Sequence, residues 1–390
     1  MGHAPMSATR RRLLYVTGTR ADFGLMERTL RAIMKSSLLE LGVIVTGMHL
    51  SPRHGETVHQ IEAGGFPIVS RVHMLLQGDT GGAMAKGIGL AILSMTQALE
   101  EHRPDVLLVL GDRGEMLAGA LAAAHLNIPV AHVHGGEVTG SIDESVRHAI
   151  TKLAHIHMPT TRKSAERIRR MGEDPARVHI VGAPGLDDVP LLRTVDRSAL
   201  LRRIGLPDAA SYIVVVFHPV TTDGATNGSG LDSILRACSK IGKQIVLFRP
   251  NSDAGNESIN RVVEEWAAKP GVHVLTDLPR LQYLGLLSGA DALVGNSSSG
   301  IIETPSLGVP SINVGSRQNL RERNPSTLDA ACSERAVERA LRTVFHERSF
   351  QSRIADRRNV HGDGKTAARI VRILETTRLS KDILEKRFRG

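Results

Sequence analysis

The sequence predicts an α/β protein of two doubly wound domains facing a cleft. Three observations predict it. Short apolar runs alternate with amphipathic stretches from end to end, the pattern of a parallel sheet covered on both faces. That alternation restarts after Pro190–Asp196. The chain has 390 residues, too many for one ordinary core, and 41% of them are hydrophobic, enough for two.

In the first half the apolar runs Leu13–Thr17, Gly42–Thr46, Val106–Leu110, Val130–Val133 and Val178–Val181 read as buried strands. Leu25–Ser36, Ala83–Glu101 and Met116–Leu126 read as the helices between them. In the second half Tyr212–Phe217, Gln244–Phe248, Val272–Leu275, Ala292–Val294 and Ser311–Val314 read as strands. Leu231–Ile241, Ile259–Ala268 and Gln282–Leu287 read as helices. The expected division is 1–190, 191–364 and a final segment 365–390. Lys365–Lys386 is expected as one helix that packs back on the first domain.

Composition excludes several classes. Cys238 and Cys332 are the only cysteines, too few for a disulfide framework or a Cys-rich zinc site. A reduced, cytoplasmic setting is the expectation that follows. No apolar run approaches the roughly 18 residues that span a membrane. Leu13–Val16 is too short for a signal-peptide core. The net charge is +9, with 49 Lys and Arg against 40 Asp and Glu. Residues 321–390 hold 17 of those cations and 10 of the anions, so the rest is nearly balanced. Only 3% of the residues are aromatic, which leaves few platforms for stacked bases. A nucleic-acid partner is therefore not expected.

Polar residues gather just after the strands, where doubly wound sheets bind ligands. Thr17-Gly18-Thr19-Arg20-Ala21-Asp22 follows the first strand and can turn tightly onto an anion. Neither the dinucleotide nor the Walker spacing of glycines is present, which disfavours NAD, FAD and a P-loop. Asp112 and Arg113 end the fourth run. His132, His134, Glu137, Asp143, Arg147 and His148 then crowd into 17 residues. Such a density of carboxylates and imidazoles is costly to bury unless paired, and favours acid/base chemistry. His132 and His134 also share a strand face, which leaves metal binding as a rival reading. In the second half, His218 follows the first strand. Asn296-Ser297-Ser298 opens a helix suited to a diphosphate, with Glu303 one turn on and Arg317 after the next strand.

Together TGTRAD (17–22), GDRGE (111–115), HGGEVTGSIDESVRHAITKLAH (134–155), HPVTTD (218–223), GNSSSGIIE (295–303) and GSRQNLRER (315–323) resemble the hydrolysing UDP-N-acetylglucosamine 2-epimerase family. The resemblance covers about residues 13–375. It implies two Rossmann-like domains of the glycosyltransferase-B type. It implies conversion of UDP-N-acetylglucosamine and water to N-acetylmannosamine and UDP, for sialic acid synthesis, with no nicotinamide, flavin or metal. Carried onto this chain, Arg20, Arg113, His218, Asn251, Ser297, Ser298, Glu303 and Arg317 match UDP-binding positions, and Asp22, His49 and Asn296 join the substrate set. Asp112, His134, Glu137 and Asp143 match catalytic positions, and Arg147 and His218 join them. Animal relatives carry Glu where this chain has His134, and have Glu137 as well. Proton transfer thus falls to His134 or to Glu137.

The chemistry needs such groups. Departure of UDP gives C1 oxocarbenium character and acidifies the hydrogen at C2. Its removal gives a glycal, and water adds with a proton returned to C2 from the other face. Two proton-transfer groups are required, with cations for the leaving diphosphate. The resemblance leaves the C4 and C6 substituents open, so UDP-N,N′-diacetylbacillosamine is an alternative substrate. Rival activities are the non-hydrolysing epimerase, a glycosyltransferase, and a UDP-sugar sensor without catalysis. A homo-oligomer is expected.

Overall fold

The structure is a computed structural model that describes residues 10–78, 80–139, 142–220, 227–250, 255–276 and 278–389. It contains two six-stranded parallel sheets. The first has β1 (Arg11–Thr17), β2 (Leu39–Thr46), β3 (Ile68–Val72), β4 (Val106–Leu110), β5 (Val130–Val133) and β6 (Ile156–Met158), in the order β3-β2-β1-β4-β5-β6. The second has β7 (Tyr212–Val216), β8 (Gln244–Phe248), β9 (Val272–Leu275), β10 (Ala292–Gly295), β11 (Ser311–Val314) and β12 (Thr327–Ala330), in the order β12-β11-β10-β7-β8-β9. Counted within itself, each sheet follows the same winding. Strand order reverses between β1 and β4 in one and between β7 and β10 in the other. A crevice opens outside the carboxyl ends at such a point.

Central strands are fully apolar for a reason. Tyr15 and Val16 on β1, and Leu107, Leu108 and Val109 on β4, have both faces covered by helices and are wholly buried. Two adjustments to the expected elements concern edges and ends. Val178–Val181 is not a strand. Val178 makes one isolated bridge to His157, and Val181 N–H donates to the Pro159 carbonyl (3.0 Å), so this run lines the sheet edge irregularly. Conversely β3, β6 and β12 form without an unbroken apolar run to announce them.

The last helix is Thr366–Thr376 and is shorter than the expected Lys365–Lys386; a short 3₁₀ turn, Lys381–Ile383, follows. It lies on the helix Arg20–Lys35 of the first sheet. Ile370, Leu374 and Ile383 enter the same apolar cluster as Leu30 and Ile33. Arg11 donates to the carbonyls of Leu374 and Thr377. Truncating a buried leucine such as Leu374 costs about 2–5 kcal/mol. Asp187, in the 3₁₀ segment Pro184–Thr194, accepts from the N–H groups of Thr366 (2.8 Å) and Ala367 (2.6 Å) and so caps this helix. No helix among the described residues is long and apolar enough to cross a membrane.

Candidate active site

The loops after β1, β4 and β5 face those after β7, β10 and β11 across a cavity of about 1140 Å³. Arg20, Asp22, Asp112, Arg113, His134, Asp143 and Arg147 line it from the first half. His218, Ser297, Ser298, Glu303 and Arg317 line it from the second.

Local structure sets each group in place. Asp22 and Thr19 form a capping box at the start of Arg20–Lys35. Asp22 also accepts from the N–H groups of Gly18 (3.1 Å) and Thr19 (2.9 Å) and from the Thr17 hydroxyl. Burial pushes its carboxyl up to about 6, against the pull of those bonds and of Arg113. The loop that presents Arg20 is therefore rigid. Gly295 ends β10 at φ 140°, and a Cβ there would stand 2.0 Å from the Val216 carbonyl oxygen. That close approach needs glycine. It seats Asn296 beside the loop after β7, where Asn296 accepts from His218 N–H (2.7 Å) and donates to the His218 carbonyl (2.8 Å).

Carboxylates and guanidinium groups pair around the cavity. Asp112 accepts from the buried Arg147, whose other nitrogen donates to the Glu137 carbonyl (3.1 Å). Asp143 lies 3.6 Å from Arg317, which also donates to the Asn296 carbonyl (3.3 Å). Glu137 is gripped by Arg321 of the second half. Glu303 accepts from Arg280 (2.8 Å), and its Oε2 is buried without a hydrogen-bond partner among the described residues.

Three expected residues do not line the cavity. His49 is buried between the hydroxyls of Thr17 (3.0 Å) and Thr57 (2.6 Å), and burial holds its imidazole down at about 4. Asn296 is fully buried and engaged with the His218 backbone. Glu137 sits behind His134. Asn251 and the Thr221–Asp223 part of the motif at 218–223 lie outside the described residues. His132 is wholly buried; its Nε2 meets the Gly111 carbonyl (2.7 Å) and its Nδ1 the Thr151 hydroxyl (3.2 Å), so it fastens β5 to the end of β4. No cluster of metal-ligating side chains occurs among the described residues.

Sequence reasoning missed Arg280 and Arg321. Arg321 lay in view inside GSRQNLRER, four residues after Arg317. Arg280 had no pattern to mark it, yet it holds Glu303, the Gly185 carbonyl (3.0 Å) and Asp188 (3.5 Å) at once.

These features define a two-domain α/β protein of the glycosyltransferase-B fold with a polar cavity between its sheets. The chain belongs to the UDP-N-acetylglucosamine 2-epimerase family, whose model matches residues 31–375. It is 41% identical to the UDP-N,N′-diacetylbacillosamine 2-epimerase (hydrolyzing) of Legionella pneumophila, over 96% of this chain and 98% of that one. It is 33% identical to the UDP-N-acetylglucosamine 2-epimerase of Neisseria meningitidis, over 97% and 98%. Its fold matches the crystal structure of a UDP-GlcNAc 2-epimerase from Neisseria meningitidis bound to UDP-GlcNAc, with a TM-score of 0.80 at 18% identity, covering 94% of this chain and all of that one.

Proposed function

We propose that the protein is a hydrolysing 2-epimerase acting on a UDP-linked 2-acetamido sugar. The observation that carries the reading is the set of carboxylate–guanidinium pairs Asp112–Arg147 and Asp143–Arg317 on the wall of one cavity, with Glu137–Arg321 behind His134. Binding of UDP alone needs the cations. Proton transfer at C2 needs the acids and imidazoles as well. In this reading Arg20, Arg113, Arg317 and His218 stabilise the departing diphosphate, with Ser297 and Ser298 beside it. Asp112, Asp143 and His134 move protons, and Arg147 holds Asp112 in place. Glu303, fixed by Arg280, offers its second oxygen to the ribose. Asn296 and Asp22 shape the two loops, and His49 supports the first of them.

UDP-N,N′-diacetylbacillosamine is the first substrate to test. The Legionella relative supports it, and the apolar lining of Met48, Leu75 and Leu76 suits a sugar that ends in a methyl group. UDP-N-acetylglucosamine, with N-acetylmannosamine as product, is the second reading, supported by the Neisseria relative. Incubation with each sugar nucleotide in deuterated water, followed by NMR, decides. Free UDP with a C2-deuterated, inverted sugar is the expected result. An epimer still attached to UDP, or no release of UDP, would sink the hydrolytic reading. We extend the proposal to a homo-oligomer, supported by Leu90 and Leu93 exposed on the helix Gly81–His102; light scattering measures it.

A further inference from the structure

We propose that Glu137 and Arg321 form a positioning pair that spans the two domains and acts through His134, the group that takes the C2 proton. The inference rests on the hydrolytic reading above and assigns the proton acceptor within it.

Glu137 is not placed to meet the sugar itself. Both its oxygens are engaged. Oε2 accepts from Arg321 Nε (2.8 Å) and from its Nη2, and Oε1 accepts from the Thr160 hydroxyl (2.7 Å). Glu137 lines a second, smaller cavity of about 450 Å³, and Arg321 forms part of the wall of both cavities. His134 lines the larger one. Its Nδ1 lies 3.6 Å from Glu137 Oε1, within ion-pair range but longer than a formed hydrogen bond. Its Nε2 is buried and has no hydrogen-bond partner among the described residues. An imidazole backed by a fixed carboxylate on one nitrogen, with the other nitrogen unspent beside a substrate cavity, is the arrangement of a general base.

The backbone is bent to achieve this. His134 adopts φ 64°, left-handed for a side chain that rarely goes there. Its N–H is tied to the Met158 carbonyl (3.2 Å). Gly136 follows at φ 75°, where a Cβ would stand 2.4 Å from the Ser164 carbonyl oxygen. The turn that carries Glu137 under the imidazole is thus fixed by packing.

Charged and titratable groups face His134 from several elements: Glu137 on its own loop, Arg321 after β11, Glu303 after β10, His361 near the chain's last helix, and His132 on β5. Burial, with Arg321 and His361, lowers its pKa to about 4, while Glu137 and Glu303 oppose the fall. At neutral pH the ring is uncharged and can accept a proton. In the step, the C1–O bond breaks with its electron pair leaving on UDP. The C2–H pair becomes the C1=C2 bond, and the proton goes to His134 Nε2. Glu137, kept anionic by Arg321, then faces an imidazolium.

The two ends of the pair have opposite charge, so their removal moves His134 in opposite directions. Glu137→Gln should shift the acid limb of kcat/KM to lower pH. Arg321→Gln should shift it to higher pH, each by about one unit. Arg321→Lys should keep the limb near that of the parent protein. His134→Gln should lower kcat by about 10²–10⁴-fold. A ¹⁵N NMR titration of the imidazole, assigned by its absence in His134→Gln, should show the same opposed shifts with no substrate present. Loss of activity in both charge variants with an unmoved limb and an unmoved imidazole would mean a purely structural pair and would overturn the inference. If the parent protein releases UDP from neither sugar nucleotide, the hydrolytic reading fails instead, and the imidazole titration still tests the pair.

Discussion

The two sheets share one winding and diverge in what their loops carry. After β1, β4 and β5 the first half presents Asp22, Asp112, His134 and Glu137. After β7, β10 and β11 the second presents His218, Ser297, Ser298, Arg317 and Arg321. Two cross-domain ion pairs join a first-half carboxylate to a second-half guanidinium, Asp143 to Arg317 and Glu137 to Arg321, while Lys163 and Glu322 pair in the opposite sense at the smaller cavity. Topology places a crevice, and residue choice decides its use. In the proposed reading the first half supplies the proton-transfer groups, with Arg20 and Arg113 reaching toward the diphosphate, and the second half supplies the rest of the diphosphate's partners.

The strongest way to break that division is Asp112→Asn. It keeps the shape and removes the charge facing Arg147. We expect turnover to fall by about 10²–10⁴-fold with UDP binding little changed, measured by single-turnover kinetics and UDP titration. Equal losses in both would erase the distinction between the halves. Next, Arg317→Gln in the second half should cost about 10²–10³-fold in kcat/KM and weaken UDP binding too. An unaffected UDP affinity would contradict the assignment.

Acid offers a third comparison. Burial holds His49, His134 and His155 at about 4 and His132 at about 3, all in the first half. The stability gained by keeping them neutral is fully present above their unfolded value near 6.5. It is lost as pH falls toward 4 and then 3. Glu137, which burial would raise but Arg321 and His134 bring down to about 2, loses its contribution between 4.5 and 2. The unfolding midpoint should therefore drop from pH 7 to pH 4. Hydrogen exchange should show amides of β1–β6 opening before those of β7–β12, and simultaneous opening would contradict this. The smallest effect is expected for Thr19→Ala, which removes the helix cap in the first half. Denaturant unfolding should show a loss of about 1 kcal/mol.

Much of this fold could be read from the sequence, and the failures have a common cause. Central strands such as Val106–Leu110 are apolar on both faces, so their run is unbroken. The strands β3, β6 and β12 lie at sheet edges, where one flank is open. Arg71, His157 and Asp329 interrupt their apolar pattern, and the runs vanish from view. Val178–Val181 failed the other way, since apolar residues can cover an edge without joining the ladder. In the site, residues close to the strand ends were visible as motifs. The grip of Arg321 on Glu137 was not, because 184 positions separate the partners and nothing local records the meeting.

Where Asp187 caps the helix Thr366–Thr376, the Ala183 N–H also donates to the His361 carbonyl (2.7 Å). The polypeptide thus passes between the halves twice, and the two passages are bonded side by side. A single tether would leave swivel, twist and separation all open. Two tethers laced together at one border remove most of that freedom and leave rotation about the line through them. The opposing loops are thereby held in register across the cavity. Their polar groups are gathered at the high effective concentration of an intramolecular arrangement.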